Sequence, residues 1–147
     1  MRALGLDIGG ARIGVAVSDP SGRIASPIAV LEARDPARLV REIGLLVEDY
    51  EIERLVFGLP LTLAGDEGPQ AAEVREQGER LGATLGIRVE YHDERHSSAE
   101  ARRVMQEAGV SEREQRGSLD KVAAAIVLQG WLDARRARAG VEDRDER

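Results

Sequence analysis

A single stretch near the start of the chain decides the fold: residues 3–17 read ALGLDIGGARIGVAV. Its apolar runs at 3–8 and 13–17 flank a short glycine-containing turn, which is the pattern of two strands in a hairpin. A turn signature of Asp-Pro-Ser-Gly at 19–22 then leads to a weaker apolar run at 24–30. The pattern therefore predicts three antiparallel strands joined by tight turns.

After the third strand, the pattern changes to helices that alternate with short strands. Asp35-Pro36 is typical of a helix start, and apolar residues recur after it at helical spacing. Ser97-x-x-Glu100 is a capping box that opens a later helix. The predicted order after the hairpin strands is helix, strand, helix, strand and two helices. The strands are expected at 55–57 and 87–91, and the final helix from about 119 to 138.

The order of these elements predicts the architecture. Helical crossovers between parallel strands are right-handed, so the fourth and fifth strands should lie parallel to the first. We expect an α/β fold with a mixed five-stranded sheet, three antiparallel strands plus two parallel ones, and helices on both faces. Residues 1–139 would form this domain, and residues 140–147 would be an acidic, disordered tail.

Length and composition exclude several kinds of protein. The chain has 147 residues, enough for one domain, and it contains no cysteine, which excludes disulfides and thiolate metal sites. No stretch approaches the roughly 18 apolar residues of a membrane span. These features predict a soluble, cytoplasmic protein without a membrane partner, and they leave the oligomeric state open. The net charge of −6 argues at first sight against a nucleic-acid partner.

Three carboxylates qualify the argument from net charge. Asp7 ends the first strand, Glu94 follows the fifth, and Asp120 lies near the start of the last predicted helix. Carboxylates that meet in a partly buried place repel one another unless a cation lies among them, and hard oxygen ligands favour Mg²⁺ or Mn²⁺ over Zn²⁺. One or two such ions would activate water against a phosphodiester. The alternative is that Asp7 is only an acid at the end of a strand and Asp120 only the N-cap of a helix, with no metal bound.

Four short blocks of the sequence carry a family resemblance. In chain order they are DIGGARIGVAVSD at 7–19, GLPL at 58–61 with GDEGPQ at 65–70, DERHSS at 93–98 and DKVAA at 120–124. Together they resemble the YqgF family of Holliday-junction-resolvase-like nucleases, also called RuvX-like. Each block is weak alone, but the four stand in the family's order and spacing over nearly the whole chain.

The resemblance implies an RNase H-like fold and a metal-dependent nuclease. It associates the chain with 5′-end maturation of pre-16S ribosomal RNA, with RNA favoured over DNA junctions and with a ribosomal partner left open. The alternative substrate is a Holliday junction. Carried over by position, Asp7, Glu94 and Asp120 would be the catalytic acids and the ligands of Mg²⁺ or Mn²⁺. The substrate phosphates would be held by three basic residues: Arg12, Arg95 and Lys121.

The chain departs from the family pattern at four positions. Ala11 stands where the family usually has a basic residue, so one expected phosphate contact is missing. His96 and Ser97 replace a usual Leu and Thr. Ala123 occupies the position one turn after the last acid, where junction resolvases proper carry a fourth acid, and this weighs against junction cleavage.

Other functions fit the sequence less well. His92 and His96 are four residues apart, but Asp93 holds the place that a zinc-protease motif gives to Glu. The DIGG motif also resembles the phosphate loop of actin-like kinases, which close two such domains over ATP. A non-catalytic RNA- or protein-binding module is the remaining alternative, with Trp131 either in the core or on a partner surface. Because a module that only binds phosphates gains nothing from collected carboxylates, the residues favour an enzyme.

Overall fold

The structure is a computed structural model, which describes residues 1–95, 103 and 112–145. Three strands are followed by a helix, a strand, a helix, a strand and a long helix. The bounds of these elements are β1 Arg2–Gly9, β2 Arg12–Ser18, β3 Ala25–Glu32, α1 Pro36–Asp49, β4 Ile52–Leu59, α2 Pro69–Leu85, β5 Arg88–Asp93 and α3 Glu112–Asp145.

The strands form one five-stranded sheet in the order β3-β2-β1-β4-β5. β2 is antiparallel to both β1 and β3, whereas β4 is parallel to both β1 and β5. The predicted mixed sheet is therefore confirmed. The carboxyl ends of the three parallel strands meet at one side of the sheet, which we call the carboxyl edge.

Helices cover both faces of the sheet, as predicted. On one face, Phe57 and the other large side chains of the strands pack against Ile43 of α1 and Leu81 of α2. On the other face, Trp131 and Leu128 of α3 pack against the smaller strand residues. Fully burying one such large apolar side chain contributes about 2 kcal/mol. Because Trp131 is only 4% exposed, it belongs to the core and not to a partner surface.

Local sequence explains where the first two helices lie. Asp35 caps α1, because its side chain accepts a hydrogen bond of 3.2 Å from the backbone N–H of Arg38, as the Asp-Pro pair predicts. Glycine normally weakens a helix interior. In α2, however, a Cβ at Gly82 would lie 2.4 Å from Cγ2 of Val89 in β5. This glycine therefore allows the helix to lie close to the sheet.

The last helix differs from the prediction at both ends. It begins at Glu112 and not near 119, and it continues to Asp145, so helix replaces the predicted disordered tail for residues 140–145. The added turns are rich in Glu and Arg, which have high helix propensity, so their charge does not stop the helix. The predicted helix that opens at the Ser97 capping box lies outside the described residues. None of the described helices is apolar enough over a sufficient length to cross a membrane.

One side chain ties α3 to the antiparallel half of the sheet. The Oε1 atom of Gln129 accepts a hydrogen bond of 2.9 Å from the backbone N–H of Ala25. Its Nε2 atom donates one of 2.8 Å to the carbonyl of Arg23. Both partners lie where the chain enters β3, so Gln129 fixes the helix along the sheet.

Candidate active site

Two of the predicted acids are in contact at the carboxyl edge. Asp7 lies near the end of β1 and is 8% exposed. Glu94 follows β5 directly, and its backbone N–H donates a hydrogen bond of 3.1 Å to the carbonyl of Leu59 in β4. This bond ties the residue to the end of the neighbouring strand, and its side chain is hydrogen-bonded to the Asp7 carboxylate. The predicted convergence of β1 and β5 therefore brings Glu94, and not its neighbour Asp93, to Asp7.

Burial and mutual repulsion change the protonation of this pair. Burial raises the pKa of Glu94 to about 9, and the hydrogen bond and charge of Asp7 add to the effect. Burial also raises the pKa of Asp7 above its usual range, whereas the hydrogen bond from Glu94 opposes that rise. Glu94 thus carries the proton, and its carboxyl group donates a hydrogen bond to the Asp7 carboxylate. A single shared proton allows two carboxyl groups to lie together in a poorly solvated place.

Asp120 lies close to this pair but is turned to a different partner. Its charge raises the pKa of Asp7 further, while its Oδ2 atom lies 3.6 Å from Nε of Arg12 in an ion pair. Because α3 begins at Glu112, Asp120 lies well inside the helix and is not the N-cap that the alternative interpretation required. Within the described part of the chain, no three Asp, Glu or His side chains are arranged to hold one metal ion.

Glycines in the strands explain how α3 reaches the edge. A Cβ at Gly14 of β2, which faces Asp7 in the register, would lie 1.9 Å from the carbonyl oxygen of Asp120. A Cβ at Gly58 of β4 would lie 2.5 Å from Oε2 of Glu94, and one at Gly5 would lie 2.7 Å from Cβ of Leu128. None of these contacts was predicted from the sequence. The signal for them is a glycine inside an apolar strand, which marks the close approach of another part of the chain.

The three predicted substrate-binding residues have different surroundings. The Arg12 side chain is 57% exposed beside Asp120, so it is accessible to a ligand at the edge. Lys121 is half-buried and makes no ion pair with the described residues. Arg95 is engaged within the protein, because its guanidinium bonds the Asp93 carboxylate at 2.7–2.8 Å. That bond holds the pKa of Asp93 below its usual range.

Two further positions from the sequence analysis have defined surroundings. Ala123 is buried, at 1% exposure, so the place of a fourth acid is filled by packing. His92 is half-buried, and a Cβ at Gly130 of α3 would lie 2.6 Å from its Nε2 atom. His96 lies outside the described residues.

One cavity of the described chain lies apart from the acids of the carboxyl edge. It has a volume of about 310 Å³ and opens between α1 and α2, on the face opposite α3. Its walls are largely apolar, with Phe57 and Leu81 among them, and they contain no carboxylate.

Comparisons with known proteins agree with this architecture. A relative from Anaeromyxobacter sp. (strain K), named "Putative pre-16S rRNA nuclease", is 47% identical over 135 residues, which cover 92% of this chain and 98% of its own. A relative of the same name from Chloroflexus aggregans is 44% identical over 133 residues, covering 90% of this chain and 94% of its own. Thermus thermophilus RuvC in complex with a Holliday junction substrate superposes with a TM-score of 0.57 at 17% identity, over 92% of this chain and 96% of that one.

The chain has an RNase H-like fold, which the RuvC structure shares. The match of a family model described as RuvX, Holliday junction resolvase, to residues 1–134 shows that the chain belongs to the RuvX family. The protein is thus a hydrolase that binds nucleic acid, and the alternative of a non-catalytic binding module is not favoured.

Proposed function

We propose that this protein is a metal-dependent nuclease that matures the 5′ end of pre-16S ribosomal RNA in the cytoplasm. The observation that carries the proposal is the buried pair of Asp7 and Glu94 at the carboxyl edge, with Asp120 and Arg12 beside it. The substrate is suggested by the names of relatives that span nearly the whole chain. In this proposal a ribosomal partner presents the precursor.

The donor atoms at the edge suit one or two Mg²⁺ or Mn²⁺ ions, although Asp120 must leave its ion pair with Arg12 before all three acids can hold one ion. Asp7, Glu94 and Asp120 supply only carboxylate oxygens, the donors that these cations prefer. The proton shared by Asp7 and Glu94 marks a place where positive charge is needed to hold two acids together. Asp7, Glu94 and Asp120 would hold the ion, which would supply a more acidic water and charge stabilisation for the leaving oxygen. Asp120 would then give up its ion pair with Arg12.

Arg12 then becomes available to the substrate. A guanidinium beside the acids offers two parallel N–H donors to a phosphate oxygen pair. Lys121, which follows Asp120 on the same helix, adds a point charge at the same edge. Together they counter the repulsion between a polyanionic substrate and a chain of net charge −6. Binding of RNA should therefore be weak when divalent metal is removed.

A direct assay tests the choice of substrate. The protein is incubated with a pre-16S RNA fragment and, separately, with a four-way DNA junction, each with Mg²⁺, with Mn²⁺ and with EDTA. We expect cleavage near the mature 5′ end of the RNA with either metal and none with EDTA. Faster cleavage of the junction would favour the resolvase function that the family description carries. Cleavage in EDTA would contradict the metal-dependent mechanism.

Replacing Arg12 by Ala tests phosphate binding. The side chain is 57% exposed and its ion pair with Asp120 is long, at 3.6 Å, so the variant should unfold at the wild-type temperature. Loss of one phosphate contact should raise KM about fivefold and reduce the slope of log KM against log salt concentration by about 1. Arg38→Ala is the matched control, since Arg38 is an exposed arginine paired with Glu42 in α1. Equal effects of the two substitutions would exclude a specific role for Arg12.

A further inference from the structure

The loop between β4 and α2 carries an unusually exposed apolar side chain. We call residues 60–68 the 60–68 loop. Leu63 at its tip is 85% exposed, more than any other large apolar residue in the described chain. A single exposed leucine needs no explanation on a mobile surface. Here, however, the loop that carries it is held in one conformation.

Hydrogen bonds within the loop fix its shape. The backbone N–H of Thr62 donates to the carbonyl of Asp66 at 2.9 Å, and that of Gly65 donates to the carbonyl of Thr62 at 2.8 Å. The Thr62 hydroxyl accepts a further bond of 3.1 Å from the N–H of Asp66. Gly65 has a φ of 88°, which a residue with a side chain rarely adopts. The loop thus holds Leu63 outward without support from a packed core.

The loop is also tied to the acids of the carboxyl edge. Nη1 of Arg95 donates a hydrogen bond of 3.3 Å to the carbonyl of Leu63, while Nε of the same guanidinium bonds Asp93 at 2.8 Å. Glu94, which contacts Asp7, lies between Asp93 and Arg95 in the sequence. At its base, the loop starts from Leu59, whose carbonyl accepts the N–H of Glu94. Leu63 therefore has a fixed position relative to the acids.

The chemistry of the loop selects one kind of contact. Asp66 follows the tip, and its charge repels the phosphates of a nucleic-acid strand, whereas the charge of Glu67 is paired with Arg75 of α2. An apolar side chain gains free energy from the face of a nucleobase, which is open only where the base is unpaired or its step is unstacked. The tip thus suits a base and not the backbone.

We propose that Leu63 packs against an unpaired nucleobase of the substrate beside the acids, and that Arg95 is the positioning residue that holds the loop for this contact. The inference rests on the proposed function, since it takes the carboxyl edge as the place where the strand is cut. It gives the enzyme a preference for single-stranded or splayed RNA next to the scissile bond. It also assigns Arg95 to the loop and not to a phosphate.

Binding of two RNA probes tests this proposal. The probes are a 12-nucleotide single-stranded RNA with one central 2-aminopurine and the same strand paired with its complement. Both probes carry phosphorothioate linkages, which slow cleavage, so that dissociation constants can be measured with Mg²⁺ for the wild type, for Leu63→Ala and for Leu45→Ala. Leu45 is the matched control, because it is 59% exposed on α1. Leu63→Ala should weaken binding of the single strand about tenfold, the cost of losing one stacked base. It should change binding of the duplex less than twofold, and Leu45→Ala should change neither.

Further variants separate the outcomes. Leu63→Phe should tighten binding of the single strand and increase the change in 2-aminopurine fluorescence on binding, whereas Arg95→Ala should reproduce the loss seen with Leu63→Ala. Equal loss for both probes would show a backbone contact and overturn the proposal, as would unchanged binding of both. If the proposed function is wrong, RNA will be cleaved in EDTA or by the Asp7→Asn protein. Neither result changes the comparison of binding to the two probes.

Discussion

Replacing Asp7 by Asn should reduce cleavage of the precursor RNA about a thousandfold, because a neutral amide supplies neither the charge nor the oxygen pair that a divalent ion needs. The same change should not weaken the fold. Asp7 is buried, and its pKa is raised by burial and by the charge of Asp120, so the ionised carboxylate destabilises the folded state at neutral pH. An asparagine removes that charge and retains hydrogen-bonding capacity toward Glu94. In EDTA we therefore expect the melting temperature to rise by about 3 °C.

Thermal unfolding with and without metal separates catalysis from folding in this variant. Millimolar Mg²⁺ or Mn²⁺ should raise the melting temperature of the wild type, since an ion that binds only the folded state stabilises it. The Asp7→Asn protein should lose that response. Asp19→Asn provides a comparison, because Asp19 is an exposed acid whose pKa is lowered to about 2 by hydrogen bonds within its own turn. Cleavage by Asp7→Asn at the wild-type rate would exclude Asp7 as a catalytic residue.

Replacing Gly14 by Ala should destabilise the protein by about 3 kcal/mol, near the upper end of the cost of overpacking. The new methyl group would lie 1.9 Å from the carbonyl oxygen of Asp120 and 2.2 Å from its carbonyl carbon. These are backbone atoms of a helix, so no side-chain rotation relieves the clash, and α3 must move away from the sheet. Because Asp120 moves with it, cleavage should fall by about a hundredfold in the protein that remains folded.

Gly44→Ala in α1 is the matched control for Gly14→Ala. A Cβ at Gly44 would lie 3.4 Å from Cδ2 of Leu85, an ordinary contact, and alanine is favoured over glycine inside a helix. This variant should gain about 0.5 kcal/mol and keep full activity. Urea unfolding and cleavage rates measured on both variants provide the comparison. A Gly14→Ala protein as stable as the wild type would show that the contact between β2 and α3 is looser than the structure has it.

The sheet could be predicted from the sequence because its strands are short apolar runs separated by strong turn and helix signals. The parallel order of β1, β4 and β5 followed from the handedness of crossovers, and it correctly brought Asp7 and Glu94 to one edge. These inferences need only local patterns and one topological rule. They do not depend on how closely any two elements approach.

The features that were missed all depend on such close approach. Gly14 reads as part of an apolar strand, and nothing next to it in the sequence shows that a helix backbone lies against it. The pairing of Arg95 with Asp93 and Leu63 depends on the course of a loop, which no local pattern of the sequence indicates. His92 follows the alternating apolar and polar residues of 87–91, a pattern that gives no sign that its ring packs against Gly130 of α3. The N-terminal extension of α3 lacks an apolar period, so only helix propensity could have indicated it.

The contact of α3 with Gly14 has a consequence for how the enzyme is made. Asp7 and Gly14 belong to β1 and β2, whereas Asp120 belongs to α3, which follows all five strands in the chain. Contacts between such distant parts of a chain form late in folding, because they require the closure of a long loop. Asp7 and Glu94 meet within the sheet, whereas Asp120 joins them only when α3 docks. A chain in which α3 has not yet docked lacks the third acid, so we expect it to be inactive.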